Sequence, residues 1–584
     1  MRSGARSYLN PSIAVPETAA SFSFSWEKDS LPHSGAGFGY ATDLFQFAPA
    51  TNPAATAFNA NPDASAGKFL DFGQAAAAQH ASPTMAQEVA FISGVNANGT
   101  VAATSFATWN GNNPATYGGF AGVAKFGSPA AETKGGTVKY YFETASHWTA
   151  GEKAVLSDCL KLWSDLADVK FVVTHNASAA QISFHRGNDG EAFTQPSYTG
   201  ASGAGAIGGT KLNTMTHATI SLDTSVPGFG PIDGNFGTIG GYVFETILHE
   251  EGHALGLGHA GAYNGDDNPK TQQFSAYDSR LWAIMSYIEP TENAKYSSQY
   301  PVKGANWGIS ADGYGNDPTT PMALDIQAIQ SLYGAPTSTA FSGGQTFGFH
   351  CNIADATKEF YDFTVNTNPV VTIWDAGEHN KLDLSGFSSA SKVNLQPGSF
   401  SSCDGKAHNI GIAFGTAINS AITGDGNDHL VGNSARNVLK GGAGQDHLVG
   451  GAGADRLFGG NGADVFVYHK ASDSTGSKFD KIAGFDGSAD KLDLWFAVKG
   501  PVETFHPGSV SKGSMNGDLA HFFELDRLGA HHAALVTPRH GDEAGHTFLV
   551  VDANGQAGYQ ANADLVIEVT GGINLHHLDA SSFI

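Results

Sequence analysis

Between residues 249 and 259 the chain reads His-Glu-Glu-Gly-His-Ala-Leu-Gly-Leu-Gly-His. On a helix, His249 and His253 project from one face, so both rings can meet one zinc ion. Glu250 points toward the same pocket, where a carboxylate can take a proton from zinc-bound water. Gly256 lets the helix stop and the chain turn sharply, which brings His259 round as third ligand. Three neutral imidazoles leave a coordination position open, the mark of a catalytic rather than a structural zinc site. A bare HExxH recurs by chance, but a helix that merely carries surface histidines has no need of Gly256 or His259. The chemistry this spacing supports is metal-assisted hydrolysis.

Such a site needs a helix to carry it and strands to frame it. Tyr242 to about Leu255 is the expected helix, and Pro321 to Leu332 another. Thr149 and Glu152 form a capping-box pattern. Val155, Leu156, Cys159, Leu162, Trp163 and Leu166 follow at helical spacing, as one buried stripe would. Strands are expected at Thr137–Phe142, 169–174, 181–185 and Ala218–Leu222. An extended substrate is expected to lie antiparallel to an edge strand, here Ala218–Leu222. Strands and helices in this order make an α+β domain of ordinary size. Residues 1 to about 108 are rich in Ala, Gly, Ser, Asn and Pro, with a short helix expected within 72–90 and no chemistry assigned.

From residue 423 the chain reads TGDGNDHLV, GNSARNVLK, GGAGQDHLV, GGAGADRLF, GGNGADVFV, five units of nine residues. Full units follow G-G-x-G-x-D-x-U-x, a calcium-binding parallel β-roll pattern. The expected calcium-binding residues are Gly424, Gly426, Asp428, Gly442, Gly444, Asp446, Gly451, Gly453, Asp455, Gly460, Gly462 and Asp464. Alternate units share a side, so Asp428, Asp446 and Asp464 should line one edge and Asp455 the other. Asn437 stands where the second unit would place its Asp, which weakens a site there. A flexible Gly-rich linker would not keep Leu430, Leu439, Leu448, Leu457 and Phe466 in nine-residue register. Extracellular calcium is high enough to order such a roll and cytosolic calcium is not, so folding is tied to destination.

Repeats of this kind resemble those of RTX exoproteins, which leave Gram-negative bacteria through a type I secretion channel. The end, His577-Leu578-Asp579-Ala580-Ser581-Ser582-Phe583-Ile584, looks like their uncleaved C-terminal signal. Trp282-Ala283-Ile284-Met285-Ser286-Tyr287 adds a Met-turn to HExxHxxGxxH, which completes a metzincin signature. With Trp109-Asn110-Gly111, Ala262-Tyr263-Asn264 and the stretch Asp325 to Gly334, the chain strongly resembles the serralysin family. That resemblance implies a calcium-dependent zinc endopeptidase with an α+β metzincin-type zincin domain, then an all-β RTX parallel β-roll and a C-terminal β region. It implies His249, His253 and His259 as zinc ligands, Glu250 as base and Met285 as an apolar floor. It gives Tyr287 a role as zinc ligand that swings away to support the oxyanion.

Three positions and one segment depart from the family pattern. Ala260 replaces a proline after the third ligand, which could loosen that turn. Glu251 replaces an apolar residue, so exposure or a charge partner is expected. Asn380 replaces an Asp, which puts a calcium site there in doubt. The N-terminal segment is far longer than the family's propeptide. Asp486, Asp490 and Asp493 are either one more calcium site or turn acids, and His531, His532, His576 and His577 read as surface residues.

The expected division is 1–108, an extension or propeptide; 109–335, catalytic; 336–495, roll; and 496–584, C-terminal β region with the secretion signal. A net charge of −24, from 55 acids and 31 bases, argues against nucleic acid and anionic membranes and suits calcium. No apolar run is long enough to span a membrane. Three cysteines make no disulfide framework, and the N-terminus lacks an apolar signal core. The expected protein is secreted and zymogen-like, acting on protein and peptide substrates and using the type I apparatus. Two alternatives stand beside it: a calcium-dependent surface adhesin with an inert zinc domain, and a protease restricted to one cell-surface protein. No G-x-S-x-G is present, which disfavours an RTX lipase.

Overall fold

The computed structural model describes residues 20–23, 81–108, 122–188, 191–223, 239–264, 267–309, 316–524 and 528–584. The N-terminal half is built on one mixed sheet. Its strands are β1 (Ala20–Ser23), β2 (Ala124–Lys125), β3 (Gly136–Phe142), β4 (Val169–Val173), β5 (Ile182–Arg186), β6 (Ala192–Gly200) and β7 (Asn213–Leu222). Their order is β1-β6-β7-β5-β3-β4, with β2 also against β7. Helices α1 (Met85–Ser93), α2 (Ala150–Leu166), α3 (Tyr242–Ala254), α4 (Pro269–Gln272) and α5 (Ala323–Tyr333) accompany it.

Local sequence accounts for most of these elements. Thr149 Oγ1 accepts from the Glu152 N–H at 3.2 Å, and Glu152 Oε2 accepts from the Thr149 N–H at 2.7 Å, which closes the capping box of α2. Leu156, Cys159, Leu162, Trp163 and Leu166 are fully buried, as a stripe at helical spacing requires. Trp163 reaches across to α3, its indole N–H donating to the Leu248 carbonyl at 3.3 Å.

Ala218–Leu222, the expected edge strand, lies inside the sheet. It pairs in parallel with β5 and antiparallel with β6, whose Ala192–Pro196 run beside it. Pro196 and Gly200 weaken the strand pattern of β6, which is why it escapes a reading of the sequence. The outer edge of β6 carries β1 antiparallel at Ser197–Gly200.

The expected boundary at 108 also shifts. Val89, Ile92, Val95 and Val101 belong to the same buried core as α2 and α3. The Ile92 carbonyl accepts from the Gly258 N–H at 2.8 Å, and Ser275 donates to buried Glu88. Residues 81–108 therefore pack into the same body as α2 and α3. The short helix expected within 72–90 is α1, displaced toward the C-terminus; residues 72–80 lie outside the described residues.

The C-terminal half winds strands alternately into two sheets. In one, His429–Val431, His447–Val449 and Val465–Tyr468 are parallel and in register. In the other, Ile418–Ile422, Val438–Ala443 and Arg456–Asn461 do the same. Leu430, Leu439, Leu448, Leu457 and Phe466 are buried between them. The chain after 495 is not a separate layer, because strands Glu503–Phe505, Ala533–Val536, Phe548–Val551 and Leu565–Thr570 extend the same ten-stranded sheet. This region also contains a helix, Met515–Phe523.

Glu251 departs from expectation. It is fully buried, and among the described residues neither carboxylate oxygen has a hydrogen-bond partner. Burial, with Asp158 nearby, pushes its pKa well up, so the folded protein favours the neutral acid. An unpartnered polar group there costs stability. Glu251→Met should therefore raise stability by about 1–3 kcal/mol in urea unfolding at constant calcium. An unchanged or lower midpoint would show that this carboxyl has a partner in solution.

Candidate metal centre

Helix α3 delivers His249 and His253 from one face, and its exit delivers His259. All three are completely buried. Each ring is held from behind by a backbone carbonyl. His249 Nδ1 lies 2.8 Å from the Ile284 oxygen, His253 Nδ1 2.8 Å from the Leu257 oxygen, and His259 Nδ1 2.9 Å from the Tyr263 oxygen. A carbonyl only accepts, so each Nδ1 carries the proton and each Nε2 presents a lone pair. His259 Nε2 lies 3.3 Å from His249 Nε2 and 3.0 Å from His253 Nε2. One donor atom from each ring lies within 4.8 Å of the others. Three neutral nitrogens facing one point fit a zinc ion.

The turn after α3 has little freedom. Gly256 adopts φ +102°, and a Cβ there would stand 2.2 Å from the Ala124 carbonyl oxygen. Only glycine fits. Tyr333 ties the same turn down, donating its hydroxyl to the Leu255 carbonyl at 2.9 Å. Ala260 does not loosen the next turn: it is buried, and its N–H donates to the Met285 carbonyl at 2.9 Å.

Met285 is fully buried, its sulfur 2.9 Å from where a Cβ on Gly252, within α3, would stand. Asp325 holds the Met-turn, a role the sequence reading did not assign. Its Oδ2 accepts from the Ile284 N–H at 2.7 Å and the Met322 N–H at 2.8 Å. Burial pushes its pKa up to about 7 against the pull of those bonds. Through Ile284, the same residue fixes the carbonyl behind His249.

Glu250 is fully buried beside the cluster. The Thr194 hydroxyl, from β6, sits 2.7 Å from Glu250 Oε2 and 2.8 Å from the Glu250 carbonyl. Its single proton serves one at a time, and donation to Oε2 orients the carboxylate. Thr194 is a second site residue missed from sequence, since β6 itself was missed. The Tyr287 ring lies 4.6 Å from the His259 ring and stacks on Tyr263 at 4.7 Å. Tyr263 is anchored by donating to Asp278 at 2.6 Å.

The repeat residues form a second kind of cluster. Asp428, Asp446 and Asp464 stack along one edge: the Asp428 N–H donates to Asp446 Oδ1 at 2.8 Å, and the Asp446 N–H to Asp464 Oδ1 at 3.0 Å. Asp455 lies in the other column, where its Oδ1 accepts from the Asn437 N–H at 2.7 Å. Among the described residues, the other oxygens of Asp428, Asp446 and Asp455 are buried without a hydrogen-bond partner. Burial pushes Asp446 up to about 6 and Asp455 up to about 7. Orphaned, desolvated carboxylate oxygens of this kind fit a hard cation such as calcium. The glycines let the turns approach: a Cβ on Gly462 would stand 1.6 Å from the Gly444 carbonyl oxygen. Asn437 instead turns inward on itself, its Oδ1 accepting from the Asn433 N–H. At Asn380 the amide is likewise consumed by Gln345, Gly377 and Ala417 backbone groups. Asp486 and Asp490 meet in one turn, where Asp490 accepts from the Asp486 N–H.

Residues 338–580 match the family model described as Peptidase M10 serralysin C terminal. The metallopeptidase AprA of Pseudomonas marginalis is 39% identical over 367 residues, covering 62% of this chain and 70% of that protein. Serralysin of Photorhabdus laumondii subsp. laumondii is 35% identical over 396 residues, covering 66% of this chain and 72% of that protein. Serralysin A of Dickeya chrysanthemi is 36% identical over 394 residues, covering 66% and 74%. Matches of this extent, joined to the convergent imidazoles and the stacked aspartates, settle the relationship: the chain belongs to the serralysin family of metalloendopeptidases.

Proposed function

We propose that the chain is a secreted, calcium-dependent zinc endopeptidase in which His249, His253 and His259 hold the metal and Glu250 is the base. The observation that carries this reading is the convergence of three Nε2 lone pairs beside a buried carboxylate. The ion supplies a Lewis acid for the scissile carbonyl and brings the pKa of a water toward neutral. Glu250 accepts that water's proton and passes it to the leaving amine, while Thr194 keeps the carboxylate aimed. The Tyr287 hydroxyl donates to the carbonyl oxygen as it gains charge. Met285 and Asp325 position these groups without touching substrate. The substrate backbone pairs with β6, whose Thr194 already reaches Glu250.

Asp428, Asp446, Asp455 and Asp464, with the glycines of their turns, take up calcium in this reading and so couple folding of the roll to the extracellular medium. Export through a type I channel is consistent with Cys159, Cys351 and Cys403 all being free and buried. Among the described residues no helix is long and apolar enough to cross a membrane. Residues 1–80 act as a pro-segment, since β1 occupies the same edge of β6 that a peptide would use.

Casein hydrolysis by the calcium- and zinc-loaded chain should fall by about 10²–10⁴-fold in Glu250→Ala, with zinc content unchanged. Equal rates in parent and variant would remove Glu250 from the mechanism. Chelating calcium while zinc is maintained should abolish the β signal of the roll in far-UV circular dichroism, and readdition should restore it. A spectrum indifferent to calcium would contradict the role given to the aspartate columns. Deleting residues 1–80 should raise kcat/KM on a short peptide several-fold; an unchanged value would show that β1 does not obstruct the cleft.

A further inference from the structure

Far along the chain from the imidazole cluster, a second set of metal-type donors converges in the C-terminal part of the ten-stranded sheet. Glu568 lies on the strand Leu565–Thr570. Glu543 and His546 lie in the connection between strands Ala533–Val536 and Phe548–Val551. Backbone bonds hold that connection: Gly545 N–H to the Pro538 carbonyl at 2.9 Å, His546 N–H to the Glu543 carbonyl at 3.2 Å, and Glu543 N–H to the Val510 carbonyl at 3.3 Å. His546 Nδ1 stands 2.9 Å from Glu568 Oε1 and 3.4 Å from Glu543 Oε2. One donor atom from each of the three side chains lies within 4.8 Å of the others.

The two carboxylates are in different situations. Glu568 is 3% exposed: its Oε1 accepts from the Thr570 hydroxyl at 3.2 Å, while its Oε2 is ion-paired with Lys481 but has no hydrogen-bond partner among the described residues. Glu543 is 6% exposed, and its ion-pair partner among the described residues is the His546 ring, 3.4 Å from Oε2. The same ring sits closer to Glu568. One Nδ1–H cannot serve both carboxylates at once, so two acids converge on a single imidazole nitrogen. A divalent cation would take one oxygen from each glutamate together with the Nδ1 lone pair. Lys481 would then hold the far oxygen of Glu568, as outer partners of metal carboxylates do. The half-exposed ring leaves the remaining coordination positions to water.

We propose that Glu543, His546 and Glu568 form a second metal site, for a divalent transition ion such as zinc. One imidazole nitrogen and two carboxylate oxygens suit zinc better than calcium, which prefers oxygen donors alone. Bound there, the ion would staple the 537–547 connection to the last long strand of the sheet.

The test uses the full chain, stripped of transition metals, reloaded with calcium and titrated with zinc by calorimetry and elemental analysis. Two zinc equivalents are expected, and His546→Ala and Glu543→Gln should each bind one fewer while keeping the tighter one. His249→Ala should lose the tighter equivalent and keep the weaker, which separates this site from the catalytic one. Glu543→Gln is nearly isosteric, so it checks any loss in His546→Ala caused by misfolding, and circular dichroism monitors both. A single equivalent in the parent, or a second one that survives both C-terminal variants, overturns the proposal.

Discussion

Three imidazole N–H groups, each donating to a backbone carbonyl, are the constraint around which the catalytic half is organised. The acceptors come from three places: Leu257 just past α3, Tyr263 on the following loop and Ile284 in the Met-turn. For the Nε2 atoms to meet, all three backbones must be held at the same time. Gly256, Tyr333, Ala260 and Asp325 each restrain one of those segments. A free imidazole has two tautomers and a rotating ring; here burial and one hydrogen bond remove both freedoms. The site is thus preorganised by its surroundings.

The two halves handle charge in opposite ways. Around α3 the converging donors are imidazoles held by backbone carbonyls, and buried Arg280 is ion-paired with Glu245, Glu289 and Asp317. In the roll, carboxylates stack at 18-residue intervals, and the second oxygens of Asp428 and Asp446 have no hydrogen-bond partner among the described residues. Such columns oppose their own burial until a cation joins them. One half is organised by hydrogen bonds the chain itself supplies, and the other leaves carboxylate oxygens that a cation could serve. A parallel roll has only long-range pairings, so it has little local structure to fall back on.

Much of this was legible in the residue order. The helix of the imidazoles, the capping box of α2, the nine-residue register and the two aspartate columns all rest on short-range periodicity, which sequence expresses directly. What escaped was carried by context. β6 is interrupted by Pro196 and ends at Gly200, so its strand pattern is faint, yet it supplies Thr194 to Glu250. Residues 81–108 look like more of an Ala- and Gly-rich leader, and only the packing of Ile92 and Val101 shows them to be core. Glu251 was expected to be exposed or paired because its type is rarely buried alone.

The sequence by itself determined which chemistry is present: three histidines and a glutamate at spacings that one helix and one tight turn convert into a metal pocket, and aspartates at a period that stacks. Those are local facts, set by 3.6 residues per turn and by the length of a repeat. Tertiary structure alone decided which strand borders the pocket, which carbonyls fix the ring tautomers, and where Glu543 and His546 meet Glu568. Each of those joins residues distant in the chain, and their distances arise only when separate elements pack against a shared core.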